Sequence, residues 1–143
     1  MSASDTPIIA VDAMGGDFAP QHIVEGAVMA VRECQIPVIL VGQEDKVKAE
    51  LKRLNATQLS LITVHHADDI IEMHDKPAAA VRKKPNSSLC IACDLVKRKS
   101  ANAVISAGNS GGMLAAAILK IGRIHNVIRP AIASLIPTLS GKP

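Results

Sequence analysis

Aromatic side chains are almost missing from this sequence: its 143 residues include one Phe, no Tyr and no Trp. A protein that stacks single-stranded bases needs a row of aromatic platforms, and a cage for a quaternary ammonium needs aromatic walls. Both classes are excluded. Cysteine is scarce as well. Cys34, Cys90 and Cys93 are odd in number and too few for a disulfide framework, which fits a reducing cytosol. No apolar run approaches the ~20 residues of a membrane span. The start, Met1-Ser2-Ala3-Ser4-Asp5-Thr6, carries no basic n-region, so no signal peptide is expected. Charge of one sign is not abundant either: 16 Lys and Arg face 13 Asp and Glu. The two short basic runs, Arg82-Lys83-Lys84 and Lys97-Arg98-Lys99, read as solvated helix ends rather than a nucleic-acid footprint.

What the sequence does have is an alternation of two apolar patterns. Unbroken runs rich in Ile and Val occur at 8–11, 38–41, 61–64, 103–105 and 131–136. Such runs suit strands buried on both faces. Between them lie stripes with helical period. Ile23, Ala27, Ala30 and Val31 form one, with Pro20 suited to its first turn. Val47, Leu51 and Leu54 form a second, led by Glu44 and Asp45. Leu89, Ala92, Cys93 and Val96 form a third, with Asn86-Ser87-Ser88 as cap and Lys97-Arg98-Lys99 near its end. Leu114, Ala117, Ile118 and Ile121 form a fourth, with Gly122 as its stop. Residues 65–84 are the least periodic and read as loop plus a short helix over 77–81. The succession predicts an α/β fold with a mostly parallel sheet.

In such sheets ligands bind beyond the carboxyl ends of strands, and two junctions there carry chemistry-bearing residues. Asp12-Ala13-Met14-Gly15-Gly16-Asp17 follows the first run. Its glycines permit a tight turn or close approach of a ligand, and its carboxylates suit orienting a donor or holding a cation. A plain turn with Asp17 near a helix cap is an equal alternative. Ser106-Ala107-Gly108-Asn109-Ser110-Gly111-Gly112 follows the run 103–105. A Gly-rich strand-to-helix turn gathers backbone N–H groups at the positive helix end, and the Ser106, Ser110 and Asn109 side chains add hydrogen bonds. This is the recipe for an anion site, especially phosphate. It matches neither dinucleotide nor P-loop spacing. Arg82 and Lys83 beside Asn86-Ser87-Ser88 are candidates to offset phosphate charge, although a solvated loop feeding a capped helix is the more favoured reading.

The remaining motifs favour plain readings. Cys90-Ile-Ala-Cys93 has CxxC spacing inside an apolar helical run with no second pair, so small core residues one turn apart are expected. His65, His66, Asp68, Asp69, His74 and Asp75 have metal-ligand chemistry without a helical frame, and no metal is expected. Serine-hydrolase elbows and zinc-protease motifs are absent from the sequence.

Five blocks carry a resemblance over nearly the whole chain. Ile9-Ala10-Val11-Asp12-Ala13-Met14-Gly15-Gly16-Asp17-Phe18-Ala19-Pro20 resembles the N-terminal signature of bacterial phosphate acyltransferases, the PlsX family. Val41-Gly42, Lys84-Pro85-Asn86-Ser87-Ser88-Leu89, Val104-Ile105-Ser106-Ala107-Gly108-Asn109-Ser110-Gly111-Gly112 and Arg129-Pro130-Ala131-Ile132-Ala133 look like its later blocks, in order. The family's Thr-Gly-Ala after the Asn is Ser110-Gly111-Gly112 here. The resemblance implies a three-layer α/β/α sandwich similar to phosphate acetyltransferases and isocitrate dehydrogenases. It implies transfer of a fatty acyl group from acyl carrier protein to inorganic phosphate without a cofactor. It also implies a cytoplasmic homodimer that associates peripherally with the inner face of the membrane. Set beside that chemistry, Asn109, Asp12 and Asp17 are the expected catalytic residues. Gly15, Gly16, Arg82, Lys83, Ser87, Ser88, Ser106, Gly108, Ser110 and Gly111 are the expected phosphate contacts. Family members continue beyond the point matched by Gly141-Lys142, so residues 1–143 are expected to be the N-terminal part of one such domain. A non-catalytic remnant that binds phosphate or a partner chain is the alternative, and an enzyme using a short acyl-CoA is a third.

Overall fold

The computed structural model describes residues 6–134. Four strands, β1 (Ile9–Asp12), β2 (Val38–Gly42), β3 (Ile62–His66) and β4 (Ala103–Ile105), form one sheet in the order β3-β2-β1-β4. Every pairing is parallel. Each parallel link needs a crossover, and helices supply them: α1 (Gln21–Cys34), α2 (Glu44–Arg53), then α3 (Pro77–Lys83) with α4 (Ser88–Lys97). After β4 the chain enters α5 (Ser110–Ala116), which widens into a π turn over Ala117–Ile121 and stops at Gly122, whose φ is 103°.

Alternation along the central strands builds the layers. Val11, Val38 and Leu40 pack with Val24, Ala27, Val28 and Val31 of α1 and Val47 and Leu51 of α2. Ala10 and Val41 face the other way, onto Ala92 of α4 with Ile91 and Leu95 beside it. A third cluster joins α3, α4 and α5 through Val81, Leu89, Cys90, Cys93 and Ala116. The result is the expected three-layer sandwich. Its aliphatic core leaves the single aromatic outside: Phe18 is 69% exposed and stacks on His22 with ring centroids 5.1 Å apart.

Two expectations need correction. The runs at 61–64 and 103–105 do form strands, but neither is buried on both faces. β3 and β4 are the sheet's edges, so β3 exposes Thr63, His65 and His66, while Ile105 of β4 is 57% exposed. The run at 131–136 is not a strand over its described part. Residues 131–134 have no regular secondary structure and are exposed, and 135–136 lie outside the described residues. An apolar run becomes a buried strand only where a ladder edge and covering layers meet it, and residues 131–134 meet neither.

Leu40 is fully buried between α1, α2 and the sheet. Truncation of such a side chain typically removes ~2–5 kcal/mol through lost transfer energy and a residual cavity. Leu40→Ala is therefore expected to lower the urea midpoint strongly by far-UV circular dichroism. Met29→Ala, at a position 53% exposed, is expected to shift it by under about 0.5 kcal/mol.

Candidate functional site

β1 is the first strand laid down, and β2 and β3 are added on one side of it. The chain then crosses over α3 and α4 to place β4 on the other. The order reverses between β1 and β4, and in open parallel sheets such a switch point opens a crevice beyond the strand ends. The two glycine turns singled out in the sequence follow these two strands.

Register brings them together. Ile9 pairs with Ala103 and Val11 with Ile105, so the next pair along the ladder is Asp12 and Ser106. Ser106 Oγ donates to Asp12 Oδ2 at 2.7 Å and accepts from the Gly108 amide at 3.1 Å. The Met14 amide donates to Asp12 Oδ1 at 3.3 Å. Asp12 is 3% exposed, so these bonds offset the loss of water around its carboxylate. Close approach explains the glycines. A side chain at Gly15 would collide with the Asp12 carboxylate and lie 2.8 Å from Ser106 Oγ. Gly16 holds φ at 109°, and a side chain there would sit 3.0 Å from the Ala107 carbonyl oxygen.

Asn109 is the N-cap of α5, and it does more than cap. Its Oδ1 accepts from the Gly112 amide at 2.9 Å. Its Nδ2 faces three backbone carbonyls, Glu72 at 3.3 Å, Met73 at 3.1 Å and Asp75 at 3.0 Å. The amides of Ser110 and Gly111 precede any helical partner, because helix geometry leaves the first turn's N–H groups unpaired. Ser110 is exposed and Gly111 half-buried against Pro77. Two hollows flank the junction. One, of about 400 Å³, is lined by Gly16, Asp17, Lys46, Glu72, Met73 and His74. The other, of about 290 Å³, is lined by Ser106, Gly108 and Ser110 and by apolar Met113, Leu114, Ala117 and Ile132.

The candidate residues thus fall into groups. Asp12, Gly15, Gly16, Ser106, Gly108, Asn109, Ser110 and Gly111 meet at the junction, and exposed Asp17 lines its first hollow. Arg82 and Lys83 do not join them: both are exposed at the end of α3, and neither has an ion pair or hydrogen bond to the turn among the described residues. Ser87 and Ser88 are enclosed, at 0% and 1% exposure, and present no open face to a phosphate. Ser87 Oγ instead accepts from the Cys90 amide at 3.4 Å and caps α4. The reason is packing: the short αα connection folds this cap under Asp69, whose carbonyl accepts the Ser88 amide at 3.0 Å.

The histidine-rich stretch is dispersed. His66 Nδ1 accepts from the Glu44 amide at the start of α2, so Nε2 carries the proton towards Asp68 at 2.9 Å. Among the described residues no three His, Cys, Asp or Glu side chains gather as a metal site. Cys90 and Cys93 are buried in α4, where desolvation pushes the Cys90 thiol up and the Cys93 thiol to about 12. Three residues near the site were given no site role by the pattern reading: Lys46 is not singled out, His74 reads only as an unframed metal-type residue, and Lys84 as part of a basic run. Lys46 and His74 line the first hollow, and Lys84 pairs with Asp75 at 2.6 Å, holding the Asp75 carboxyl below the usual carboxylate range. Nothing in their spacing marks a shared site, because tertiary folding alone brings Lys46 of α2 and residues 70–84 to the strand ends.

Fold and site together define an open parallel α/β sandwich with paired glycine turns at its switch point. The chain belongs to the fatty acid synthesis protein family, whose model matches residues 8–143. It is 53% identical over 134 residues to a phosphate acyltransferase of Trichlorobacter lovleyi, covering 94% of this chain and 39% of that protein. A phosphate acyltransferase of Geobacter sulfurreducens is 51% identical, with 94% and 38% covered, and one of Pelotomaculum thermopropionicum is 47% identical, with 93% and 38% covered. The chain thus spans about two fifths of the length of the curated relatives it matches. Among the described residues no helix is long and apolar enough to cross a membrane.

Gly15→Ala is expected to push apart Asp12 and Ser106 and cost roughly 1–3 kcal/mol by overpacking, read as a lower urea midpoint. Ser106→Ala leaves Asp12 Oδ2 without its donor and is expected to cost about 1–3 kcal/mol without altering side-chain volume elsewhere. Ellman's reagent at pH 8 is expected to titrate Cys34 alone in the folded chain and all three thiols in denaturant, since only Cys34 is exposed.

Proposed function

We propose that this chain supplies the glycine-turn portion of a phosphate acyltransferase that moves a fatty acyl group from acyl carrier protein to inorganic phosphate. The observation that carries the reading is the Asp12–Ser106 bond, which locks two glycine turns side by side at the switch point. The family match and the names of the relatives support a phosphate acyltransferase, and the acyl carrier protein donor rests on the family resemblance.

In this reading a phosphate oxygen attacks the thioester carbonyl carbon. The new C–O bond forms, the C–S bond breaks, and the thiolate leaves with a proton from solvent. Phosphate is the nucleophile, so no activated serine or cysteine is required, in keeping with buried, unreactive Cys90 and Cys93. The chain's own task is positioning and charge stabilisation. The amides of Ser110 and Gly111 with the hydroxyl of Ser110 hold the anion, while the Ser106 hydroxyl and the Gly108 amide stay committed to the Asp12 lock. Asp12 keeps Ser106 oriented, Asp17 and Lys46 border the approach, and the Met113 and Leu114 lining receives the first methylenes of the acyl chain. The protein acts in the cytoplasm as a homodimer that touches the inner membrane face peripherally. These last features rest on the family resemblance.

A binding-only role is the second reading. It is favoured by the commitment of Asn109 and Ser87 to internal hydrogen bonds, which leaves neither free to act on a substrate. A chimera separates the two: residues 8–143 replace the matching segment of the Trichlorobacter lovleyi relative. It is assayed with palmitoyl acyl carrier protein and phosphate, and acyl phosphate is trapped by hydroxylamine. The expected result is product formation by the chimera. Ser110→Ala with Gly111→Pro, which removes two donors, should lower kcat/KM by about 10²-fold or more. A folded chimera that binds phosphate and makes no product establishes the binding-only role.

A further inference from the structure

Between β3 and α3 the chain forms a strap over residues 67–76 that borders the larger hollow with Ile70, Ile71, Glu72, Met73 and His74. It is pinned from two directions. On the β4 side Asn109 Nδ2 shares its two hydrogens among the carbonyls of Glu72, Met73 and Asp75. On the α3 side Lys84 Nζ donates to Asp75 Oδ2 at 2.6 Å and to the Ile70 carbonyl at 2.9 Å. The same Asp75 oxygen accepts from the Glu72 amide at 2.9 Å, closing a tight turn within the strap. Lys84 is not the free cation that its place in Arg82-Lys83-Lys84 suggests. Its side chain is one third exposed and the Asp75 side chain about one quarter.

The first pin also ties the strap to the glycine turn. Asn109 holds the strap with its nitrogen and the first turn of α5 with its oxygen, so rotating its amide breaks both. Gly111 adds a second contact, since a side chain there would lie 2.6 Å from Pro77, the residue that ends the strap and begins α3.

We infer that Lys84 and Asp75 are positioning residues for the glycine turn: they fix the strap, the strap's carbonyls fix the Asn109 amide, and Asn109 sets the amides that start α5. The inference rests on the proposed function only for the identity of the ligand, inorganic phosphate. An ion pair that merely stiffens a loop would leave the turn untouched.

The test uses the ¹⁵N-labelled 143-residue chain, with amide hydrogen exchange and a phosphate titration followed by amide shifts. Lys84→Met removes both bonds to the strap. It is expected to speed exchange in the strap and at Gly108 and Gly112 by about tenfold, the loss that one charge-assisted hydrogen bond implies. It should weaken phosphate binding by a similar factor. Lys84→Arg keeps a donor and is expected to restore most of both. Lys48→Met breaks an exposed pair with Glu44 on α2 and should change neither. Asn109→Asp keeps the acceptor for the Gly112 amide but removes the donors and sets a carboxylate against three carbonyls. It should free the strap and, with the side chain no longer anchored by the strap's carbonyls, speed exchange at Gly112 as Lys84→Met does. This variant keeps the test open if Lys84→Met does not fold.

Exchange that speeds only within residues 70–76, with Gly108, Gly112 and phosphate affinity at wild-type values in Lys84→Met, overturns the inference. So does a strap that stays protected in Asn109→Asp. If phosphate shifts no amide of the wild-type chain while the exchange effect still reaches Gly112, the positioning role stands and the phosphate reading falls.

Discussion

One hydrogen bond ties this structure together at its point of greatest consequence. Asp12 ends β1 and Ser106 follows β4, 94 residues later, and their side chains meet at 2.7 Å. The bond is possible only because the strands are parallel and in register, and it is needed because the Asp12 carboxylate is nearly sealed from water. A buried carboxylate without donors costs several kcal/mol, so the two glycine turns are held by the same contact that keeps the acid satisfied. Gly15 and Gly108 are consequences of that constraint. The backbones of the two turns approach so closely that a side chain at Gly108 would lie 3.1 Å from the Gly15 Cα.

The layers outside the junction serve its geometry. α1 and α2 cover one face of the sheet and α4 the other, which leaves the carboxyl ends of the central strands as the open edge. Main-chain groups from β1, β4 and α5 converge there without any bulky side chain. A sequence with one aromatic residue is suited to such a site, because recognition by backbone amides needs small neighbours rather than flat platforms. The side chains that shape the rim, Lys46, His74 and the strap, come from the crossovers instead.

Much of this was legible before folding. The Ile- and Val-rich runs at 8–11 and 38–41 read as strands and became β1 and β2, and the stripes at Ile23, Val47 and Leu89 became α1, α2 and α4. Asp12-Ala13-Met14-Gly15-Gly16-Asp17 and the turn after β4 were visible because glycine clusters at strand ends have few other uses. Edge position was not legible, since 103–105 is as apolar as 8–11, and only the strand order decides which is covered. The enclosure of Ser87 was hidden for a related reason: an N-cap serine looks the same whether its helix starts in solvent or beneath a loop. The pairing of Lys84 with Asp75 was equally hidden. A basic triplet reads as one patch, yet its third member turns inward while Arg82 and Lys83 stay outside.

Placing the single aromatic ring on the surface has an optical consequence. Phe18 stacks on His22 in the segment that follows the Gly15-Gly16 turn, and among the described residues the core clusters hold no aromatic side chain. The chain is therefore nearly dark at 280 nm, and its weak near-ultraviolet dichroism arises from one ring beside the crevice. That band is a local probe of the segment between the glycine turn and α1. A Trp in place of Phe18 would turn it into a fluorescent reporter of crevice occupancy that stays blind to core packing.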